Sequence, residues 1–585
     1  MKLRPITQLL AVLATLVSLH AAPRQLWSTK LPGDAKWHTV SSIGYLLVGT
    51  DDSLLCIDPE SGKTVWQDKA FRKTSAFNVR EIEGTPVIIA NNQHGMGGMK
   101  TVLTAIDSLS GKHLWEAPEL LGQYLGTVPA PEKGLVLLLL AGHDETQGNG
   151  TYIHAFDLVT GQRKWLTRYA KSGAVTLHMG DNSGIFSPRL DLSGHQDPVI
   201  EGDRIYLPYL GVHCLDLNTG KILWEQPFDP ADKVNKKAYP ALRLVGDQLF
   251  AGGGGEIYCI NRETGALLWK SNRVAASGLK VWKDAVLSQI EVMGDRVFVR
   301  MGGNYSDGKQ VVLKKPLGVL ALDRASGKEL WRSKDIDNGI TNLMPLPEHN
   351  VLLCADGDSL IGIDAKAGSY QEAFAVKIEF KRKMGGGDVA KIGLGALGGL
   401  TGLAKAGISS SKARLDVPIA LVTSGGKVDV IGRQHLLCFD PQRRTIDWSL
   451  YYAAPSNSLA NIAAFAVTAL AAAGGNIQAA QGDYGSSQYS QGVGNIHMAL
   501  DNYNSYTEKR AQRVGTKSSD RFSYVLTTVE EGKKKDVGIV GVNLESGATE
   551  RQLPLGTKEP DYLVDEASGR IFFFKGKDTI QTWQF

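Results

Sequence analysis

Short stretches in which bulky apolar residues alternate with small ones recur along the chain, and each ends at an Asp or Asn. Examples are LLCID, TAID and LALD, which end at Asp58, Asp107 and Asp323. Because successive side chains of a strand point to opposite faces, this period of two predicts β-strands that are buried on both faces. The residue two positions before the acid is always small, so it marks one repeated position in many strands.

The alternation belongs to a longer repeat, in which glycine follows the acid or amide by four residues and tryptophan follows it by eight. Six copies keep all three positions: Asp58, Gly62 and Trp66; Asp107, Gly111 and Trp115; Asp157, Gly161 and Trp165; Asp216, Gly220 and Trp224; Asn261, Gly265 and Trp269; Asp323, Gly327 and Trp331. Three later copies are incomplete: Asp440 keeps Trp448, Asp364 keeps Gly368, and Asn543 keeps Gly547.

Each copy predicts a β-hairpin. The acid accepts backbone N–H groups in the turn, glycine supplies a positive φ, and the next strand carries the tryptophan. A further pair of strands precedes most hairpins, as around the turns at residues 201–203 and 294–295. Four strands per unit, at intervals of 45 to 62 residues between the acids, are typical of propeller blades. The interpretation is an all-β, multi-bladed β-propeller of four-stranded antiparallel blades, most simply eight although up to ten units can be counted; a solenoid is the other repeat architecture.

The ends of the chain suggest how this ring closes. Residues 24–30 form a tryptophan-bearing strand with no hairpin before it, and residues 570–574 and 579–585 are strands with no outer strand after them. We therefore expect one propeller over residues 22–585, closed by strand 24–30. Before it, residues 1–21 combine Lys2 and Arg4 with a short apolar run, which is typical of a signal peptide cleaved after Ala21. The sequence thus predicts an exported protein, periplasmic or secreted and not lipid-anchored.

The acid, glycine and tryptophan signature resembles the tryptophan-docking repeat of the pyrroloquinoline-quinone-type β-propellers. Two branches share that repeat: the quinoprotein alcohol dehydrogenases, and the non-catalytic propeller of the outer-membrane β-barrel assembly machinery. The resemblance covers residues 24 to 450 well and continues weakly to 585. It implies a fold rather than a function, because one fold can host several functions.

The resemblance to the dehydrogenase branch implies a disulfide between adjacent cysteines over the cofactor, and a calcium ion bound by carboxylate and amide oxygens. The five cysteines of this chain are never adjacent: Cys56, Cys214, Cys259, Cys354 and Cys438. Four of them occupy the small position of different blades, so we interpret them as buried structural thiols. The repeated acids are expected to be engaged in turns. We therefore expect no catalytic or metal site, and no cofactor outside a quinoprotein function, which would require pyrroloquinoline quinone and calcium.

Other candidate sites have weaker signals. His178, His195, His213, Asp181 and Asp197 lie close in sequence but lack metal-site spacing. The run from His94 to Thr101 departs from a phosphate loop, and residues 252–255 fit a hairpin turn better than a phosphate cradle. The net charge of +4 argues against a nucleic-acid partner.

Two insertions interrupt the repeat, at about residues 384–411 and 453–515. The first has leucines and glycines spaced by three and four, and the second contains a predicted helix within residues 458–480. One interpretation is that they pack on each other and on the ring. The other is that residues 384–411 and 458–480 contact a partner or a membrane surface, since small residues spaced by four permit close helix approach.

These observations favour an exported, non-enzymatic propeller that acts as a protein-interaction scaffold, in cell-envelope or outer-membrane protein assembly. The alternative is a quinoprotein-like oxidoreductase that binds pyrroloquinoline quinone in the central channel. Binding of a carbohydrate or another small ligand in that channel is a third hypothesis.

Overall fold

The computed structural model describes residues 23–82, 85–95, 100–171, 198–208, 211–228, 241–252, 256–272, 287–306, 311–333, 340–357, 359–378, 380, 418, 420–432, 435–452, 522–531, 534–557, 560–565 and 568–585. None of these residues is in an α-helix, and short 3-10 helices occur at Lys69–Phe71, Ala76–Asn78, Pro131–Lys133 and Pro347–His349. The predicted signal peptide and both predicted insertions, residues 384–411 and 453–515, lie outside the described residues.

The described strands form ten blades, which we number along the chain. Blades one to three contain β2 (Ala35–Val40), β3 (Leu46–Thr50), β4 (Leu54–Ile57) and β5 (Thr64–Asp68); β6 (Val79–Ile82), β7 (Val87–His94), β8 (Lys100–Asp107) and β9 (His113–Glu116); β10 (Leu120–Ala130), β11 (Leu135–Asp144), β12 (Gly148–Asp157) and β13 (Arg163–Lys171). Blades four to six contain β14 (Val199–Glu201), β15 (Arg204–Pro208), β16 (Gly211–Asp216) and β17 (Ile222–Pro227); β18 (Ala241–Val245), β19 (Gln248–Gly252), β20 (Glu256–Asn261) and β21 (Leu267–Asn272); β22 (Leu287–Met293), β23 (Arg296–Ser306), β24 (Val311–Asp323) and β25 (Glu329–Arg332).

The remaining blades come from the second half of the chain, and the last one also uses the first strand. Blades seven to nine contain β26 (Met344–Leu346), β27 (Val351–Ala355), β28 (Ser359–Asp364) and β29 (Glu372–Lys377); β30 (Ala420–Ser424), β31 (Lys427–Ile431), β32 (His435–Asp440) and β33 (Thr445–Tyr451); β34 (Phe522–Glu531), β35 (Lys534–Asn543) and β36 (Thr549–Pro554). Blade ten contains β37 (Asp561–Asp565), β38 (Arg570–Lys575), β39 (Thr579–Gln584) and β1 (Arg24–Lys30).

Strands that follow one another in sequence pair antiparallel within each blade, as expected for a propeller. Blades two and three are also joined, because Leu120 and Leu121 of β10 pair with Thr101 and Lys100 of β8. The all-β, multi-bladed propeller fold is confirmed. The number of eight blades is not confirmed, because the described residues already form ten units, of which nine have four strands and blade nine has three.

A register shift recurs at one place in blades one to nine. It falls between the third and outer strands, directly after the small residue two positions before the acid. In blade one, for example, the shift lies between Cys56 and Ile57, and Cys56 pairs with Trp66. A bulge of this kind bends a strand and re-aims its side chains. Here it lies next to the residue that pairs with the tryptophan.

The buried apolar residues form ten clusters among the described residues, and each cluster is shared by two consecutive blades. We call each such interface a seam. One cluster joins blades nine and ten through Leu526 and Ile571, and another joins blades ten and one through Phe572 and Leu46. The hydrophobic core is therefore distributed around a closed ring.

The strand that completes blade ten comes from the other end of the chain. β1 runs antiparallel to β39, from the pair Arg24 and Gln584 to the pair Lys30 and Thr579. Hydrogen bonding continues past the strand, since the Leu31 amide donates to the Asp578 carbonyl at 2.7 Å. The ring is thus held shut by backbone pairing as well as by its seams. No helix in the described ranges is long and apolar enough to span a bilayer.

Candidate functional site

The repeated acids are engaged in the turns that follow the third strands. Each accepts backbone N–H bonds from the residues two or three positions later; in Asp58 the donor is the Glu60 amide at 2.8 Å, and in Asp440 the Arg443 amide at 2.9 Å. The hydroxyl and amide of Ser326 hold the pKa of Asp323 below its usual value. Asp107, Asp157, Asp216 and Asn261 make the same type of bond.

Each signature tryptophan docks on the turn of the next blade. The Trp269 indole N–H donates to the Arg324 carbonyl at 2.8 Å, and its ring covers Gly327 so closely that a Cβ there would lie 2.3 Å from Trp269 Cε3. The same pairs occur at Trp27 and Gly62, Trp66 and Gly111, Trp115 and Gly161, Trp165 and Gly220, and Trp224 and Gly265. Trp331 donates instead to the Ala367 carbonyl at 3.2 Å. Glycine is therefore required in these six turns both for its positive φ and for the space it leaves.

The small position before each acid lies opposite the tryptophan of its own blade. Cys56, Cys214, Cys259 and Cys438 pair across the hairpin with Trp66, Trp224, Trp269 and Trp448. The tryptophan of the preceding blade covers the turn glycine that follows the small position. In blade seven, where Gly362 occupies this position, a Cβ would lie 2.4 Å from Phe374 Cε1, so the ring of the outer strand leaves little room for a larger residue.

All five cysteines are buried and free of disulfides. Burial raises the pKa of Cys214 to about 11 and that of Cys259, Cys354 and Cys438 to about 12, and it raises the pKa of Cys56 further still. Since the thiolate is the nucleophilic and metal-binding form, these thiols are chemically inert in the folded protein.

Where the signature has decayed, other side chains occupy the docking positions. Phe374 lies opposite Gly362 in blade seven, as the tryptophans lie opposite their small residues, and the Arg444 guanidinium lies 5.1 Å from its ring centre. Arg444 has replaced the turn glycine and still adopts a positive φ of 55°. In blade nine Arg551 replaces the tryptophan, and its guanidinium lies 3.8 Å from the ring centre of Phe522. The sequence pattern did not identify these cation–π substitutes, because it searched for residue identity rather than for shape.

Polar side chains on and beside the first strands tie neighbouring blades together. Arg243 of β18 and Glu291 of β22 lie 3.3 Å apart, and His38 Nε2 of β2 lies 2.7 Å from Asp561 Oδ1 of β37. The Gln289 amide pairs with both backbone groups of Leu343, at 2.8 and 2.9 Å. Because blades radiate from a central channel, these first strands form its wall. The Glu291, His38 and Gln289 side chains are therefore already engaged in contacts between blades.

Few of the other candidate residues can be placed. His178, His195, Asp181 and Asp197 lie outside the described residues, as do residues 96–99 and 253–255. His94 contacts Glu119 at 2.7 Å, and His213 contacts Glu225 at 3.1 Å. In the described part of the chain, no group of three or more His, Cys, Asp or Glu side chains is placed to hold a metal ion.

Comparison with known proteins identifies one family. The family model described as "Outer membrane protein assembly factor BamB" matches residues 14–185, 97–243 and 210–315, which together span just over half of the 585 residues. No curated protein sequence matches the chain.

The solved structures similar to this one include both branches of the repeat. BamB from Moraxella catarrhalis is 14% identical, with a TM-score of 0.35, over 70% of this chain and 96% of that chain. The quinohemoprotein alcohol dehydrogenase ADHIIG from Pseudomonas putida HK5 is 13% identical, with a TM-score of 0.32, over 71% of this chain and 72% of that chain. Similarities this low carry no argument about what the chain does.

Proposed function

The chain belongs to the family of the outer membrane protein assembly factor BamB, and we propose that it is an exported, non-enzymatic β-propeller that acts as a protein-interaction scaffold in cell-envelope or outer-membrane protein assembly. The family match is the observation that carries this proposal. A propeller suits such a role because its rigid ring presents loops and strand edges on both faces.

The side chains of the ring support a scaffold more than a redox enzyme. The acids are engaged in turns, the thiols are buried and protonated, and His38, Gln289 and Glu291 are engaged between blades. The described residues offer neither adjacent cysteines nor a free set of carboxylate and amide oxygens for calcium. These residues do not fit pyrroloquinoline quinone in the way that the dehydrogenase resemblance would require.

A direct assay separates the two branches. Purified protein is incubated with pyrroloquinoline quinone and calcium, desalted, and tested for a retained chromophore and for alcohol-dependent dye reduction. We expect neither, whereas a known quinoprotein dehydrogenase carried through the same steps should show both. A retained chromophore together with turnover would overturn the scaffold proposal.

The scaffold role itself is tested by co-purification from the envelope of the source cell. The tagged chain should enrich subunits of the β-barrel assembly machinery, relative to a tagged periplasmic protein of similar size and charge. The same preparation tests export, because intact mass should place the mature N-terminus at Ala22. An uncleaved protein retained inside the cell, or equal recovery of those subunits with the control, contradicts the proposal.

A further inference from the structure

One buried carboxylate stands where the other blades place a bulky apolar or aromatic residue. Asp429 of β31 pairs with Cys438, the small residue of blade eight. The residues that pair with the corresponding small position in the other blades are Leu47, Ile89, Leu137, Tyr206, Phe250, Phe298, Leu353 and Tyr524. Asp429 is thus an ionisable exception at a position that normally packs against the aromatic ring of the blade.

Asp429 faces the seam between blades eight and nine. Its neighbours Val428 and Val430 pack toward blade seven, so strand alternation directs Asp429 to the opposite side, where Leu436 and Trp448 meet blade nine. The residue is 1% exposed, and among the described residues its carboxylate oxygens have no well-formed hydrogen bond, only the weakly donating thiol of Cys438 beside them. A buried ionised carboxylate with so little hydrogen bonding is strongly unfavourable.

A second feature, besides the buried carboxylate, weakens the contact between blades eight and nine. The Trp448 ring still covers Gly547 of blade nine, but its indole nitrogen is buried without a hydrogen-bond partner among the described residues. Six signature tryptophans that dock on a turn glycine each donate that N–H to a carbonyl of the next blade. Along the chain, the two blades are connected only through residues 453–521 and not by a short turn.

Burial has the largest effect on the pKa of Asp429, and the ionisable groups near it do not offset that effect. Burial raises the pKa of Asp429 to about 7, while the Cys438 thiol and the Lys427 ammonium lower it. Lys427 is itself paired with Asp447 at 2.7 Å, and Asp447 also binds Arg443 at 2.8 Å. From blade nine, the buried residues of this seam are the non-ionisable Val525, Val529, Val540 and Val542. Tyr452 bonds to Thr549 across the seam, and burial raises the pKa of its phenol.

We propose that the seam between blades eight and nine is a pH-sensitive opening point of the ring, because ionisation of Asp429 favours the state in which the two blades separate. This inference is independent of the proposed function. In the open state the carboxyl meets water and ionises with its ordinary pKa of about 4. Between about pH 4 and pH 7 the closed state holds a proton that the open state has released. Rising pH therefore favours opening by up to about tenfold per unit, and the effect levels off above about pH 7.

Hydrogen exchange of the whole protein tests this at peptide resolution between pH 5 and 8, with rates corrected for intrinsic exchange. Opening at β31, β32 and β35 should increase with pH up to about pH 7, by up to about tenfold per unit, relative to β19 and β20 of blade five. Asp429→Leu, which copies Leu353 of blade seven, should remove this slope. Asp429→Asn keeps the shape without the charge change and should also remove it. Asp295→Asn, at an exposed turn, should retain it.

The pH slopes of the wild type and of the Asp429 variants decide the proposal. An equal pH slope in the wild type and in either Asp429 variant overturns the proposal, as does a slope of the same size in blade five. If Asp429→Leu does not fold, the comparison with Asp429→Asn still decides the result.

Discussion

At the scale of single residues, glycine has two separate roles in the ring. Gly265 follows the third strand of blade five with φ +73°, and a Cβ there would lie 2.5 Å from Trp224 Cγ. Gly246, in an earlier turn of the same blade, has φ +61° and nothing within 4 Å of that position. The two glycines share the backbone requirement, but only Gly265 also makes room for a docked ring.

This pair predicts unequal costs for the same substitution. Gly246→Ala should cost about 1 kcal/mol of unfolding free energy, from left-handed backbone strain alone. Gly265→Ala should cost a further ~1–3 kcal/mol, because the new methyl group displaces the Trp224 ring. Equilibrium denaturation in urea measures both. Equal losses would mean that the tryptophan does not press on the turn.

The cysteines give a second prediction at this scale. All five are buried and their thiol pKa values are raised, so the native protein should react with a thiol reagent far more slowly than free cysteine at pH 8. After unfolding in guanidinium chloride, five thiols per chain should react at once. A fast-reacting thiol in the native state would show that a seam is more open than its burial indicates.

Residue spacing gave the signature but not the exceptions to it. The acid, glycine and tryptophan positions could be read because each is set by local hairpin geometry that recurs in every copy. Asp429, Phe374 and Arg551 were not identified, because the pattern was defined by the identity of the acid, glycine and tryptophan and not by the residues that pair with them or replace them. A search of the second strands for a charge in place of a bulky apolar residue would have found Asp429.

At the scale of elements, the pairing of β1 with β39 closes the ring. Ser28 and Gln581 face each other in this pair, and directly opposed residues in antiparallel strands have Cα distances that suit a disulfide. The elements themselves were predictable from alternation and turns. The bulge next to each small residue was not, because it leaves no mark in the hydrophobic pattern.

A designed disulfide tests this closure. Ser28→Cys combined with Gln581→Cys should form a cross-link on oxidation and raise the thermal midpoint, with both effects lost on reduction. The pair Arg24→Cys and Thr579→Cys places the thiols at opposite ends of the same strand pair and should not cross-link. Cross-linking of both pairs, or of neither, would contradict the register of β1 on β39. Non-reducing electrophoresis and calorimetry give the two readouts.

At the scale of the whole molecule, stability is shared among the seams. Every apolar cluster of the described residues belongs to two blades, so a blade removed from its neighbours would expose both of its faces. The sequence indicated this organisation through the repeat period, and the family match agrees with it. The number of units was harder to predict, because the late copies keep the shape of a blade after losing its signature residues.

The pairing of β1 with β39 also imposes an order in time. Synthesis from the N-terminus produces residues 24–30 long before their partner strand at residues 579–584. Until then β1 has no partner strand, and Trp27 can at most dock on the first complete blade. Closure of the ring must therefore wait until residues 579–584 have been synthesised.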